Sequence, residues 1–194
     1  MRKRLAAAMA GLLAIMMVIP TLVFATSVEH LNLEDMSAKA DKIFRGTVIS
    51  IAPGTVEAGG AELPTVTYTL KVDESFKGEY IIEKDDIRLV KVTMITDAKA
   101  DPSSSGVRKL GFFRDVPQLT VGGDYLLFTS AESSIGLSTT IGLGQGCFDV
   151  SGGAALNRAG NVGLFQNAAT AGPAKGPLAY DDLSSRIRSI LATQ

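Results

Sequence analysis

The sequence predicts a mainly β domain with a short helix at its start and a second helix at its end. The segment Thr65–Asp73 alternates apolar and polar side chains with the two-residue period of a strand that has one buried face. Shorter apolar runs separated by glycine and proline lie on both sides of it, whereas helical spacing recurs only near the two ends of the mature chain. These patterns predict a helix, five to seven strands and a closing helix.

The N-terminus has the order of charge and hydropathy of a secretory signal peptide. Basic residues at positions 2–4 precede the uncharged stretch Leu5–Phe24, and Val23 and Ala25 place compact side chains where a signal peptidase cleaves. We expect residues 1–25 to be removed after Ala25, so that the mature domain is secreted, periplasmic or held in the cell envelope. The uncharged stretch is also long enough to span a membrane, so a retained N-terminal anchor is the alternative.

Composition narrows the partners expected of the mature chain. Removing residues 1–25 takes away three positive charges and changes the formal net charge from −1 to −4. A mildly acidic domain is a poor fit to nucleic acid, and no later apolar run is long enough to predict membrane contact after cleavage. Cys147 is the only cysteine, so no internal disulfide can form. We expect it to be a small buried apolar residue, with a reactive or dimer-forming thiol as the alternative.

The first elements after the leader are a short helix and two strands. Asn32 is a suitable N-cap for a helix over Leu33–Ala40, and the apolar residues of Lys42–Ile51 predict the first strand. Pro53-Gly54 is expected to end that strand and to begin a loop that runs to Leu63. The second strand is Thr65–Asp73, closed by Phe76-Lys77-Gly78.

A third strand and the longest irregular segment follow. Ile87–Met94 is predicted to be a strand with Ile87, Leu89 and Val92 facing inward. Asp97–Val116 is then a loop, and loops of that length in compact domains are usually functional or disordered. We interpret it as a partner-binding loop whose candidate contact residues are Asp97, Asp101, Arg108, Phe112, Phe113 and Arg114.

The C-terminal part is predicted to contain three short strands, a hairpin turn, a linker and a helix. The predicted strands are Asp124–Ser130, Thr139–Ile141 and Gly146–Val150. A turn over Asn157–Asn161 would return through Val162–Phe165, and the linker 167–176 is rich in alanine and glycine. The last helix, within residues 177–194, carries Leu183, Ile187, Ile190 and Leu191 on one stripe. We therefore divide the mature chain into a β-domain (26–166), a linker and a closing helix.

The sequence contains no recognisable catalytic, metal or cofactor motif. His30, the only histidine, stands close to the expected mature N-terminus, a poor position for a rigid catalytic or zinc-binding side chain. The run Gly142–Gly146 precedes a strand pattern rather than a helix, so a bend or bulge is expected there instead of a phosphate loop. Asp97 and Asp101 lack the dense spacing of a calcium loop. We predict no catalytic residues, no metal and no cofactor.

Three blocks of the chain share their pattern with a known domain. In Ala40–Val48 an Ala-Asp pair introduces a strand of the type x-Gly-x-Val, and Tyr68–Gly78 is a strand that ends in an aromatic residue followed by Lys-Gly. Leu119–Phe128 carries a hydrophobic-x-x-Gly-x-x-Tyr-Leu-hydrophobic pattern. In this order the blocks resemble the netrin-like domain of tissue inhibitors of metalloproteinases. Ile141–Phe148 also looks like a segment of exported bacterial proteins of this kind, some of which accompany matrixin-type zinc proteases.

The resemblance implies an OB-type fold, a five-stranded Greek-key barrel with flanking helices. It also implies a secreted, non-enzymatic binding domain that modulates or chaperones an exported zinc metalloprotease. The zinc-chelating N-terminal cysteine of the animal inhibitors has no counterpart at Thr26, so direct chelation does not carry over. Two alternatives come from other classes: an envelope structural or adhesion module built as a β-sandwich, and a small hydrolase that uses carboxylates alone.

Overall fold

Eight antiparallel strands form one sheet in the computed structural model, which describes residues 30–82, 87–96, 116–166 and 175–194. The strands are β1 (Lys42–Ala58), β2 (Ala61–Lys77), β3 (Ile81–Ile82), β4 (Arg88–Ile95), β5 (Asp124–Thr129), β6 (Cys147–Ser151), β7 (Ala154–Asn157) and β8 (Leu178–Ala179). Their order in the sheet is β3-β4-β2-β1-β5-β6-β7-β8. Helix α1 (Leu33–Lys39) precedes the sheet, helix α2 (Tyr180–Leu191) follows β8, and a 3-10 helix (Leu143–Gly146) leads into β6.

The sheet buries apolar side chains on both faces. Ile43 and Phe44 are adjacent in β1, are both fully buried and belong to different clusters, as the alternation of a strand requires. The helix-side core joins one face of β1, β5 and β6 to α1 and α2, through Ile43, Leu126, Phe128, Phe148, Met36, Leu183 and Ile187. The far-side core lies on the opposite face, over β1, β2, β4, β5 and the start of β6. It contains Phe44, Val48, Tyr68, Leu70, Val92, Met94, Leu127 and Cys147.

The mainly β class and the flanking helices are confirmed, but the five-stranded Greek-key barrel that the resemblance implies is wrong. The sheet is open: β3 and β8 are its outer strands, and β6–β8 extend it beyond β5. Within the described residues, the segment after β5 meets β4 through one backbone bond, from Ser138 N to Thr93 O at 2.9 Å, where a barrel would have a ladder. The single sheet also differs from the two packed sheets of a β-sandwich.

The first two strands are much longer than the sequence pattern indicates. Pro53 does not end β1; it pairs with Val66, and pairing continues to Ala58 opposite Ala61. The turn is made by Gly59-Gly60, both with positive φ (61° and 79°), as the type I′ turn of a two-residue hairpin requires. The predicted loop from Gly54 to Leu63 is therefore a β-hairpin.

The register between β2 and β4 determines which side chains of β4 are buried. Val90, Val92 and Met94 are the buried residues, whereas Ile87 is 39% exposed and Leu89 is partly buried. Leu70 and Tyr68 of β2 face the far-side core, and Val90 and Val92 lie directly opposite them in β4. Val90 and Val92 therefore face the same core. Of the predicted inward residues, only Val92 is confirmed.

The predicted hairpin after β6 is also displaced. β6 turns into β7 at Gly152-Gly153, both with positive φ, while residues 158–166 form successive turns and no return strand. Thr139–Ile141 contributes only an isolated bridge, between Thr140 and Thr129, and Leu143–Gly146 is the 3-10 helix named above. The predicted α1, β5, β6 and α2 agree with the structure to within a few residues. Among the described residues, no helix is long and apolar enough to cross a membrane.

Candidate binding site

The six residues predicted to contact a partner lie outside the described part of the chain. They are Asp97, Asp101, Arg108, Phe112, Phe113 and Arg114. The residues that border them are described: Ile95 and Thr96 on one side, and Val116 on the other. Ile95 and Val116 both line a cavity of about 420 Å³, so described residues on each side of the undescribed segment lie beside a concave surface.

The cavity is predominantly apolar. Met94 and Ile95 at the end of β4 form one wall, and Leu137 and Leu143 lie in the segment between β5 and β6. Its remaining lining residues are Val116, Ser130, Ala131, Ser133, Ser138 and Thr139, and none of the described lining residues is charged. A concave site of this size and character suits an uncharged apolar group.

Hydrogen bonds hold the cavity wall between β5 and β6 in place. Ser130 N donates to Thr139 O at 2.8 Å, and Ser133 N donates to Leu137 O at 2.7 Å. The Ser133 hydroxyl oxygen accepts from Leu137 N, and Ser130 Oγ accepts from Thr139 N, both at 3.1 Å. These bonds satisfy backbone groups locally, and the concave shape is therefore built into the fold.

The distal part of the β1–β2 hairpin projects beyond the rest of the sheet. We call residues 53–64 the arm. β5 pairs with β1 only as far as Thr47, and β4 pairs with β2 only from Thr65 onward, so from the Thr55–Pro64 pair to the turn the ladder consists of β1 and β2 alone. No residue of the arm is buried. The arm contains six residues of β1 (53–58) and four residues of β2 (61–64), which corresponds to a ribbon about 13–20 Å long.

The arm and the cavity lie at the same end of the sheet. Ile95 and Met94, which line the cavity, are the cross-strand partners of Thr65 and Val66 at the base of the arm. Thr96 N donates to Pro64 O at 3.0 Å, so the chain leaves β4 in contact with the arm. A projecting ribbon and an apolar concavity therefore adjoin each other where the predicted loop begins.

A cluster of charged and aromatic residues attaches α2 to the sheet. Arg45 forms a bidentate pair with Asp124, with Nη2 at 2.6 Å from Oδ2, and lies 4.4 Å over the ring of Tyr180. Tyr180 donates to Glu74 at 2.6 Å, and Arg188 pairs with the other oxygen of Glu74. Burial and the adjacent Glu74 raise the pKa of Tyr180, while the bond to Asp124 raises the pKa of Arg45. The partners are mutually satisfied, as expected of a structural cluster.

Cys147 faces the far-side core and is fully buried. Burial raises the pKa of its thiol to about 12, so the group is neutral at physiological pH and unsuited to nucleophilic chemistry. The expectation of a buried apolar role is confirmed. Within the described ranges, no group of three or more His, Cys, Asp or Glu side chains is arranged to hold a metal ion.

No protein-family model and no curated protein matches this chain. Sequence reasoning missed both the arm and the cavity. The arm has a usable signal, since Gly59-Gly60 is a typical two-residue hairpin turn, but Pro53-Gly54 is an equally typical strand end. The cavity had no local signal, because its walls are more than thirty residues apart in sequence.

Proposed function

We propose that this chain is a secreted, non-enzymatic binding domain that engages its partner at the end of the sheet where the arm and the cavity adjoin. The proposal rests on the observation that the arm and the cavity adjoin each other. A projecting two-stranded ribbon and an apolar concavity of about 420 Å³ share the β2–β4 edge around Pro64 and Thr96. Convex and concave features that adjoin offer a partner both a groove to fill and a ribbon to enclose.

The chemistry of this end favours recognition over catalysis. The cavity lining residues within the described chain carry hydroxyl and apolar groups, with no carboxylate, imidazole or thiol among them. General acid–base and nucleophilic catalysis need such groups within hydrogen-bond reach of the substrate. An apolar pocket with a few hydroxyl groups is typical of a site that takes an apolar side chain or ligand.

The partner class that we propose is an exported zinc metalloprotease, which this domain modulates or chaperones. Support comes from the signal-like N-terminus and from the resemblance of residues 40–48, 68–78 and 119–128 to netrin-like inhibitors. A role in modulation is compatible with a contact made by the arm and the cavity, because neither requires the N-terminal cysteine that Thr26 replaces.

Calorimetric titration tests this proposal. The probe is the catalytic domain of a matrixin-type zinc protease exported by the same organism, titrated into the secreted full chain. Leu137→Glu places a charge on the cavity wall, and Leu156→Glu places one on β7, where the side chain is exposed. We expect binding by the wild type, at least about tenfold weaker binding by the first variant, and no change in the second. Cleavage of a fluorogenic peptide, followed in parallel, reports whether binding alters activity.

Two results would contradict the proposal in different ways. Absence of binding by the wild-type chain removes the metalloprotease as the partner. Equal affinities of the wild type and a folded Leu137→Glu variant remove the cavity as the contact surface. Circular dichroism of both variants establishes that a loss of binding is not a loss of folding.

A further inference from the structure

The two prolines of the arm face its two outer edges. Pro64 O accepts from Thr96 N on the β4 side, so the backbone polar groups of Pro64 point away from β1. Thr55 lies opposite Pro64, so its backbone N–H and C=O point away from β2. Pro53 is two residues before Thr55 in the same strand, and its backbone groups therefore point the same way. The missing N–H of each proline therefore falls on an outer edge, the position in which a strand tolerates proline.

This placement disfavours strand addition to the arm. A partner strand on the outer edge of β1 would find no donor at Pro53. On the edge of β2, Pro64 has no N–H to donate, and its carbonyl oxygen already accepts from Thr96 N. Edge prolines are a recognised device against edge-to-edge pairing. A partner is therefore expected to contact the faces and the tip of the arm, leaving the hairpin intact.

The tip carries a like-charge pair. Glu57 and Glu62 lie directly opposite each other, one pair before Ala58 and Ala61, which close the turn. Hydrogen-bonded and non-hydrogen-bonded pairs alternate along an antiparallel ladder, and Glu57–Glu62 is two positions from the non-hydrogen-bonded pair Thr55–Pro64. Glu57 and Glu62 therefore also form a non-hydrogen-bonded pair, the type in which side chains come closest. Like charges in that position destabilise a hairpin. Residues 53–64 contain no lysine or arginine, and no ion pair within the described residues includes either glutamate.

Most other side chains of the arm are small. Gly54, Thr55, Ala58 and Ala61 add little width to the ribbon, and Gly59-Gly60 makes its tip narrow. A preformed hairpin of this kind loses little conformational freedom when it binds. Its shape suits insertion into a cleft, and its charge calls for basic groups there.

Building on the proposed binding function, we infer that the arm enters a cleft of the partner protein as an intact two-stranded hairpin, and that lysine or arginine side chains in that cleft contact Glu57 and Glu62. Cationic groups would relieve the repulsion that the free arm tolerates. The cavity then holds an apolar side chain from the rim of the same cleft.

Site-specific photocrosslinking in the exporting host tests the inference on the full chain. A benzophenone amino acid is placed separately at Thr55 on the arm, at Leu137 in the cavity and at Val162 on an exposed turn as the control. We expect Thr55 and Leu137 to form adducts with the same protein and Val162 to form none. Combining Glu57→Lys with Glu62→Lys should reduce the Thr55 adduct about tenfold, because the charge sign is reversed. Replacing the contacted basic residue of the partner with glutamate should restore it.

Matched variants separate charge from folding. The double lysine variant keeps a like-charge pair, so the stability of the hairpin should stay close to that of the wild type. Glu57→Gln with Glu62→Gln removes the repulsion and should still lower the adduct yield, and Glu79→Lys reverses an exposed charge elsewhere and should leave it unchanged. A Thr55 adduct that is insensitive to charge reversal, or that contains a second copy of this chain, overturns the inference.

The same experiment distinguishes failure of the inference from failure of the proposed function. Adducts from Leu137 without adducts from Thr55 would show that a partner binds at the cavity and does not contact the arm. Absence of adducts from both positions would contradict the proposed function, because no partner would then bind at this end of the sheet. Both results are readable from one set of gels.

Discussion

The hydroxyl of Tyr180 donates a hydrogen bond of 2.6 Å to Oε2 of Glu74, which joins the first residue of α2 to β2 across 106 positions of sequence. Arg45 lies over the Tyr180 ring, and Arg188 pairs with the other oxygen of Glu74. Leu183 and Ile187 are fully buried one and two turns further along the helix. The polar contacts therefore fix where α2 starts, and the apolar stripe holds the rest of it.

Tyr180→Phe should lower the free energy of unfolding by about 1–2 kcal/mol, because the variant keeps the ring but leaves a half-buried carboxylate without one donor. Urea denaturation measures the change. Ser184→Ala is the matched control, since its hydroxyl donates only to Asp181 O within the exposed helix surface, and it should cost less than about 0.5 kcal/mol. Equal losses in the two variants would show that the Tyr180–Glu74 bond does not stabilise α2.

Gly46→Ala should destabilise the fold by about 2–3 kcal/mol, because overpacking against backbone cannot be relieved by a rotamer change. A Cβ at Gly46 would meet the backbone carbon of Lys71 in β2 at 3.2 Å, and its carbonyl oxygen still more closely. Gly54→Ala, in the same strand, is the control. Its new Cβ would meet only the Thr65 hydroxyl, at 3.0 Å, so a change below about 1 kcal/mol is expected in the same urea titration. The reverse ranking would contradict the β1–β2 register.

The stability of the protein should fall with rising pH above about pH 9 because of Cys147. Its folded pKa is raised to about 12, so folding favours the protonated thiol. The contribution of the thiol to the free energy of unfolding is complete below the unfolded pKa of about 8.5. It is lost as the pH rises toward the folded pKa, at up to about 1.4 kcal/mol per pH unit. Urea titrations at pH 8, 9 and 10 measure it.

Cys147→Ala is the control, because it removes the ionisable group. The variant will be less stable at pH 8, since a buried sulfur is lost, but its slope between pH 8 and 10 should be flatter. Identical slopes would show that the thiol does not titrate on unfolding in this range. Tyr80 and Tyr180, whose pKa values are also raised by burial, add to the alkaline loss only above about pH 10.

Shortening the arm should leave the fold intact. Deleting Val56, Glu57, Glu62 and Leu63 removes two complete cross-strand pairs and keeps the alternation that places Ala58 opposite Ala61. None of these residues is buried, so the free energy of unfolding should change by less than about 1 kcal/mol. Thermal and urea denaturation provide the measurement. A cooperative loss of stability would show that the arm is part of the core rather than a projection.

The sequence was sufficient where a local pattern and the tertiary environment agree. Asn32 caps α1 by accepting from Asp35 N at 2.7 Å, and Leu183 and Ile187 of α2 are buried as their spacing predicts. The x-Gly-x-Val pattern at Arg45–Val48 also has a physical reason, since only glycine allows the close approach of Lys71. In these cases the deciding interactions lie within one turn or one strand pair.

The sequence was insufficient where distant segments decide the outcome. Pro53 is compatible with a strand only because its ring nitrogen faces an outer edge, and that depends on the register between β1 and β2. Met94 faces inward because β2 turns Val66 and Tyr68 to the same side. The cavity depends on the meeting of β4 with the segment 130–139, which no periodicity within either one indicates.

Hydrogen–deuterium exchange of the full chain, with and without the zinc protease domain, measures whether a partner binds where the arm and the cavity adjoin. If the partner binds where the arm and the cavity adjoin, amides of residues 53–64 and 130–143 should gain protection, while those of β6 and β7 should exchange as in the free chain. Protection confined to β6, β7 or the exposed surface of α2, or no protection at all at saturating protease, would contradict binding at this end of the sheet.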